Sequence, residues 1–255
     1  MSQLLAGLVD DAGLFPPAWM SMPEALVRHR ASSSPMLSGR FLCPADRVEE
    51  LLAVLDGPLD VHLIGDASVD LSFAEVSPGQ GTGDLPQSRG ESQRRRGWIR
   101  VRAVELRSGI MDEIPCYVEG IAPSALRGHG VFGKLRCGGA RIPSVDEVAA
   151  YVSEAARHSV PFKATAGLHA AVRGWESTKD VPHHGYLNLL LAVARSLSGG
   201  DVAGVLASTD ALALTEEAQG LSADLVTATR WLLHSYGSCD TDRPVNDARQ
   251  LGLLP

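Results

Sequence analysis

Two short segments hold the side chains best suited to chemistry. In Gly133-Lys-Leu-Arg136 and in Phe162-Lys-Ala-Thr165 a polar residue alternates with a small or apolar one. Successive side chains of an extended strand point to opposite faces, so Lys134 would share a face with Arg136, and Lys163 with Thr165. Glu105 and Glu119 stand near the ends of two earlier apolar runs. Two amines and two carboxylates aimed into one cavity could perform general acid–base work, with Glu119 or Glu105 as the base, and a lysine amine can attack a carbonyl carbon. Burying so many charges is costly unless they pair or are used. The bland expectation is therefore a structural salt-bridge layer in which both lysines pair with the two glutamates.

Further polar residues surround this set in the sequence. His169 follows Thr165 in a loop, where a side chain titrating near neutrality is a natural proton shuttle. Arg136 and Arg173 could hold a carboxylate or phosphate through paired hydrogen bonds. His183-His-Gly-Tyr-Leu-Asn188 leads into a helix that carries Asn188, and Asp10 and Asp11 close the first apolar run. Gly237 and Ser238 could receive phosphate on backbone N–H groups, against the repulsion of Asp240 and Asp242. Cys239 and a histidine supply the residue types of a nucleophile and base, with no protease signature beside them. In the loop Asp11-Ala-Gly-Leu-Phe-Pro-Pro-Ala18 two prolines stiffen the chain, and Phe15 either caps a cavity or tucks into the core. The expected substrate-contacting set is Arg136, Thr165, Asp11, Asn188 and Ser238.

The elements that must position these residues alternate in type. Apolar runs at 5–10, 40–43, 61–65, 99–106, 116–120, 133–136, 162–165 and 232–236 read as strands. Helical patterns at 23–30, 45–55, 124–126, 144–158, 186–197, 202–207 and 223–230 fall between them, and a short terminal helix follows from about 244. Ser144-Val-Asp-Glu147 is a capping box that fixes one helix start. Such alternation predicts an α/β fold with a parallel sheet and right-handed crossovers. The length of 255 residues suits a TIM (β/α)8 barrel. The first connection, Asp10-Asp-Ala-Gly-Leu-Phe-Pro-Pro-Ala-Trp19, lacks the Gly-rich fingerprint of a dinucleotide fold. A single barrel domain over 1–255 is expected, its third unit partly degenerate because 77–97, rich in Gly, Pro, Gln, Ser and Arg, reads as a flexible loop. Polar residues at strand ends then fall on the carboxyl face, which carries the chemistry in this architecture.

Composition narrows the partners. The chain is 45% hydrophobic and 21% charged with net charge −7, which speaks against nucleic acid and anionic membrane surfaces. No apolar stretch approaches the roughly 20 residues of a membrane crossing. The N-terminus has no basic region ahead of an apolar one, and four scattered cysteines suggest reduced thiols, so a cytoplasmic location is expected. The expected partner is a small-molecule substrate, with homo-oligomerisation open.

Lys163-Ala-Thr-Ala-Gly167, at the end of a strand, resembles the lysine strand of class I (Schiff-base) aldolase barrels of the deoxyribose-phosphate aldolase type. The resemblance implies that Lys163 forms a carbinolamine and then an imine with a carbonyl substrate. Lys134 would be its cationic neighbour, disfavouring protonation of Lys163 and leaving more free amine. Along the whole chain, the segments DDAGLFPPA, FKATAGLH, HGYLN and GSCD look like a set shared by a bacterial family of unassigned function, which implies no residue roles. The expected activity is that of a lyase of aldolase type on a carbonyl or carboxylate metabolite, through a lysine Schiff base or an enolate. No cofactor is called for. The alternatives are a lyase or isomerase using a divalent metal ion, for which Asp10, Asp11, Asp66, Glu105, Glu119 and the histidines offer donors, and a non-catalytic metabolite-binding barrel.

Overall fold

The computed structural model describes residues 2–66, 75–76, 97–106, 114–176 and 181–255. Eight strands form the barrel: β1 (Val9–Asp11), β2 (Leu37–Pro44), β3 (Gly57–Gly65), β4 (Gly97–Leu106), β5 (Cys116–Glu119), β6 (Phe132–Arg136), β7 (Phe162–Thr165) and β8 (Leu233–Ser238). Each pairs in parallel with the next, and β8 pairs with β1, so the sheet closes on itself. The architecture is an α/β barrel of TIM type. A two-residue strand, Glu75–Val76, pairs beside β4, and Gly174–Glu176 with Val181–His183 makes a small antiparallel hairpin after β7. The segment 77–96, on which the expectation of a flexible loop and a degenerate third unit rests, lies outside the described residues, and Gly97 opens β4.

The helices in chain order are α1 (Ser2–Leu5), α2 (Met22–Ala31), α3 (Val48–Val54, entered by a 3-10 turn at Ala45–Arg47), α4 (Pro123–Leu126), α5 (Val145–His158), α6 (Tyr186–Ser198), α7 (Val202–Ala207), α8 (Ala211–Gly220), α9 (Ala223–Leu232) and α10 (Asp242–Gln250). The capping box of α5 forms as the sequence predicts: Glu147 N donates to Ser144 Oγ at 3.1 Å, and Ser144 N donates to Glu147 Oε2 at 2.7 Å. A second box, Ser21 with Glu24, starts α2. None of the helices among the described residues is long and apolar enough to cross a membrane.

Two boundaries depart from the sequence reading. The apolar run from Leu5 is not strand throughout: Ser2–Leu5 is helical, and β1 begins only at Val9. Leu4, Leu5 and Leu8 are all fully buried, and a short fully buried run carries no period that separates helix from strand. The connection from β7 to β8 also carries one more helix than expected, α8, whose start is capped by Asp210 accepting from Ala213 N at 3.0 Å.

The outer faces of the strands supply the hydrophobic cores. Val9, Leu135, Ala164 and Tyr236 pack with α5, α6, α9 and α10 in one cluster, while Phe41, Val61, Leu63, Val104 and Val118 pack with α2 and α3 in the other. Helix α6 is buried from Tyr186 through Ala194 because α5, α7, α8 and α9 cover it. With these apolar residues packed outward, Asp10, His62, Glu105, Lys134 and Lys163 are buried on the inward side, and they make the site.

Candidate active site

Strand register sets the inner layer. Lys134 lies directly opposite Lys163, and Glu119 opposite Lys134. Lys163, with no solvent exposure, donates to Asp10 Oδ2 at 2.7 Å and, reaching across the barrel, to Glu105 Oε1. Asp10 is also satisfied by Arg40 Nε at 2.8 Å, Ser38 Oγ at 2.6 Å and Ser235 Oγ at 2.7 Å. His62 Nδ1 lies 3.2 Å from Glu105 Oε1, and the Tyr117 ring lies 5.6 Å beneath the Lys163 ammonium. Burial alone would raise the pKa of Asp10 and of Glu105, but Lys163, with Arg40 or Lys134, outweighs it and holds both well below the carboxylate range. Burial would likewise lower Lys163, yet Asp10 and Glu105 raise it above the ordinary lysine value. All three are therefore ions at neutral pH, locked into one network.

Above this layer the carboxyl ends of the strands open into a cavity of about 1020 Å³. Lys134, Glu119, Arg136 and Thr165 form its floor, and Leu42, Ile64 and Gly237 complete it. Lys134 Nζ stands 3.2 Å from Glu105 Oε2 and 3.5 Å from Glu119 Oε2, the former outside hydrogen-bond alignment. Arg136 grips Glu119 with two contacts, Nε to Oε1 at 2.5 Å and Nη2 to Oε2 at 3.1 Å. Burial raises Glu119, but the hydrogen bond from Arg136 and the charge of Lys134 bring it below its ordinary value. The loops after β6 and β7 form one wall. There Gly138 and Gly167 touch main chain to main chain: a Cβ on Gly138 would come within 2.8 Å of Gly167 Cα, and one on Gly167 within 2.9 Å of Cys137 O. Gly167 also has φ of +74°, which glycine adopts without strain.

Of the residues expected at the site, Lys134, Glu119, Arg136, Thr165 and His169 line the cavity. Lys163 and Glu105 converge with them but belong to the layer beneath, fully buried and outside the lining. The expectation that Lys134 frees the Lys163 amine is thereby corrected, since two buried carboxylates bind that ammonium and favour its charged form. Asp11 does not line this cavity: it is paired with Arg28 and with His29 Nδ1 at 3.3 Å on α2. Asn188 is spent inside the helical layer, accepting from Arg173 N at 2.8 Å and donating to Val205 O at 2.7 Å and Ser208 O at 2.8 Å. Ser238 does not line the cavity; its hydroxyl donates to Asp240 O at 2.6 Å and lies 3.4 Å from Nδ1 of the lining residue His169. Arg173 Nη1 rests 3.2 Å from His184 Nδ1, likewise outside the lining. Cys239 does line the cavity with His169 3.9 Å from its sulfur, but burial raises its thiol above the ordinary value, which disfavours a nucleophilic thiolate.

The sequence reading missed the half-buried Arg40 and the buried His62 and Tyr117 of the inner layer, and Arg47 and Arg243 of the cavity lining. Strand alternation carried a signal for the first two, because Arg40 and His62 are the polar residues inside two otherwise apolar runs. Among the described residues, Asp10, His62 and Glu105 have donor atoms within 4.8 Å of one another, as a metal site requires. The Lys163 ammonium takes a donor oxygen from each of the two carboxylates, so in this arrangement a cation is already supplied by the chain. No family model, no curated protein and no solved structure matches this chain.

Proposed function

We propose that the barrel is a lyase of aldolase type acting on a small carbonyl- or carboxylate-bearing metabolite, with Lys134 as the amine that meets the substrate. The observation that carries this reading is the place of Lys134: unlike the fully sequestered Lys163 with which it pairs in register, it lines a large cavity, its amine 3.2 Å from Glu105 and 3.5 Å from Glu119. Attack of the unprotonated Lys134 nitrogen on a substrate carbonyl gives a carbinolamine, and loss of water gives an iminium. Glu119 takes the proton of the hydroxyl on the β carbon, whose oxygen becomes the carbonyl of the departing fragment as the Cα–Cβ bond breaks and its electron pair flows into the iminium. The enamine left behind takes a proton back from Glu119 to give the imine, and water hydrolyses it to free the Lys134 amine and the second product. Arg136, 45% exposed and fixed by Glu119, supports anchoring of an anionic substrate group. Lys163 serves as a fixed cation whose pairing with Glu105 holds that carboxylate beside Lys134.

A borohydride trap tests the reading. Incubation with pyruvate and borohydride should add the mass of the reduced adduct to the peptide containing Lys134, and Lys134→Met should abolish it. An adduct on Lys163 would return the nucleophile to the buried lysine, and no adduct at saturating pyruvate would sink the imine chemistry. Turnover that ceases on exhaustive chelation and returns with a divalent ion would favour the metal alternative instead.

A further inference from the structure

We infer that the mouth of the barrel holds an aromatic-recognition subsite, with Trp19 as its platform, and that the substrate is an oxo carboxylate bearing a flat apolar group. The inference deepens the function proposed above and rests on it for the carbonyl alone. Trp19 is 70% exposed, yet it lines the cavity. The other large apolar side chains exposed among the described residues, such as Leu212 and Trp231, are on outer helices away from it. An indole left in water at a cavity wall forgoes the stabilisation that burial would give, so a packing role in the free protein does not account for it.

The backbone points the same way. Trp19 has φ of 46°, the left-handed region that bulky side chains avoid, and the turn around it is closed by Trp19 N donating to Phe15 O at 3.2 Å and Met20 N donating to Gly13 O at 3.0 Å. Strain of this kind persists where the surrounding structure over-determines it, and it is concentrated at ligand sites. The same loop adds Leu14, Phe15, Pro16 and Pro17 to the lining, which makes a continuous apolar wall. The same lining carries Lys134 and the guanidinium-bearing residues Arg47, Arg136 and Arg243.

Size decides between substrates. A cavity of about 1020 Å³ is at the upper end of sites that take drug-sized ligands, and a three-carbon oxo acid would leave the apolar wall in contact with water. An oxo acid with an aromatic substituent has a group for each of these features: its carboxylate for the arginines, its carbonyl carbon for Lys134, and its ring for the indole.

The experiment is calorimetric titration of the intact protein with phenylpyruvate and with pyruvate, followed by the borohydride trap on the same samples. Phenylpyruvate should bind at least about tenfold more tightly. Trp19→Ala should weaken phenylpyruvate about three- to tenfold and leave pyruvate unchanged, while Trp19→Phe should retain most of the affinity. Because Trp19 is exposed, its variants should keep the wild-type melting temperature, which separates a lost contact from a lost fold. Equal affinity for the two acids, indifference to Trp19→Ala, or no binding of either acid would each overturn the subsite. Trp19-dependent binding without a borohydride adduct would sustain the subsite and overturn the imine. An adduct with both acids and no preference between them would do the reverse.

Discussion

Lys163 and Lys134 are the same residue type at the same register, and their surroundings give them different work. The Lys163 ammonium is bound on two sides by carboxylates that have themselves lost all contact with water. Replacing it with methionine would leave Asp10 and Glu105 close together with fewer compensating charges, and breaking a buried pair in this way costs about 3–5 kcal/mol. Lys163→Met should therefore lower the urea midpoint sharply. The double variant Lys163→Met with Glu105→Gln should recover part of the loss, because it removes one of the stranded charges. Equal midpoints for wild type and Lys163→Met would show that the network contributes nothing. The four charges that the sequence made conspicuous do meet, so their convergence was legible in the alternation of polar and apolar residues. Which lysine faces the cavity was not legible. That depends on Asp10 and Arg40, which arrive from strands remote in sequence, and on Lys163 lying deeper than the solvent-reachable floor.

At the scale of elements, the loops after β6 and β7 place the functional side chains. Arg136 ends one strand and His169 follows the other, and both positions depend on the close approach of Gly138 and Gly167. Gly138→Ala puts a methyl within 2.8 Å of main chain that cannot yield as a side chain would. It should cost about 1–3 kcal/mol in denaturant titrations and should also weaken anion binding at the mouth, since the wall must move. A variant as stable as wild type with unchanged ligand affinity would show that the contact relaxes freely. Local chemistry made some elements readable: the Ser144 box, the β7 strand, and α7 all stand where the sequence puts them. Others were hidden because burial overrides pattern. Residues Ser2 to Leu5, which form α1, were absorbed into a strand for want of any period, whereas α6, apolar almost throughout from Tyr186 to Ala194 because other helices enclose it, still stands where the sequence puts it. Pairing partners were invisible for Asn188 as well, since its amide serves as a clamp between α6 and the C-terminal end of α7.

For the whole molecule, a barrel with ions and neutral histidines in its interior has a stability that depends on pH from both sides. Burial, reinforced by Arg40, Arg230 and Lys163, lowers His234 from 6.5 to about 4, and Tyr117 and the ring of His234 remain hydrogen-bonded at 2.7 Å. His62 is lowered too, chiefly by burial, against the pull of Glu105. In the range between these values the unfolded chain binds protons that the folded chain refuses, so stability falls as pH drops below 6.5. Asp10, Glu105 and Glu119, all held below their ordinary values, extend the loss, because their contribution is full only above the unfolded carboxylate pKa. On the alkaline side Lys163 is raised above 10.5, so its contribution is complete below that value and disappears as pH climbs through the folded pKa. Tyr117, raised above 10.0 mainly by burial, acts in the same direction, since the unfolded phenol ionises first. A plateau of melting temperature between pH 6.5 and 9.0 follows, because burial raises the Cys43 and Cys137 thiols from 9.0 to about 12, so the unfolded thiols ionise first above that value. One refused proton changes stability by about 1.4 kcal/mol per pH unit, so the melting temperature at pH 5 should lie roughly 4–8 °C below the plateau. His234→Gln keeps a partner for the Tyr117 hydroxyl and removes one titrating group, so its acid limb should be shallower near pH 6 than that of the wild type. Melting curves that stay flat down to pH 5, or an acid limb unchanged in His234→Gln, would place the refused protons elsewhere in the molecule.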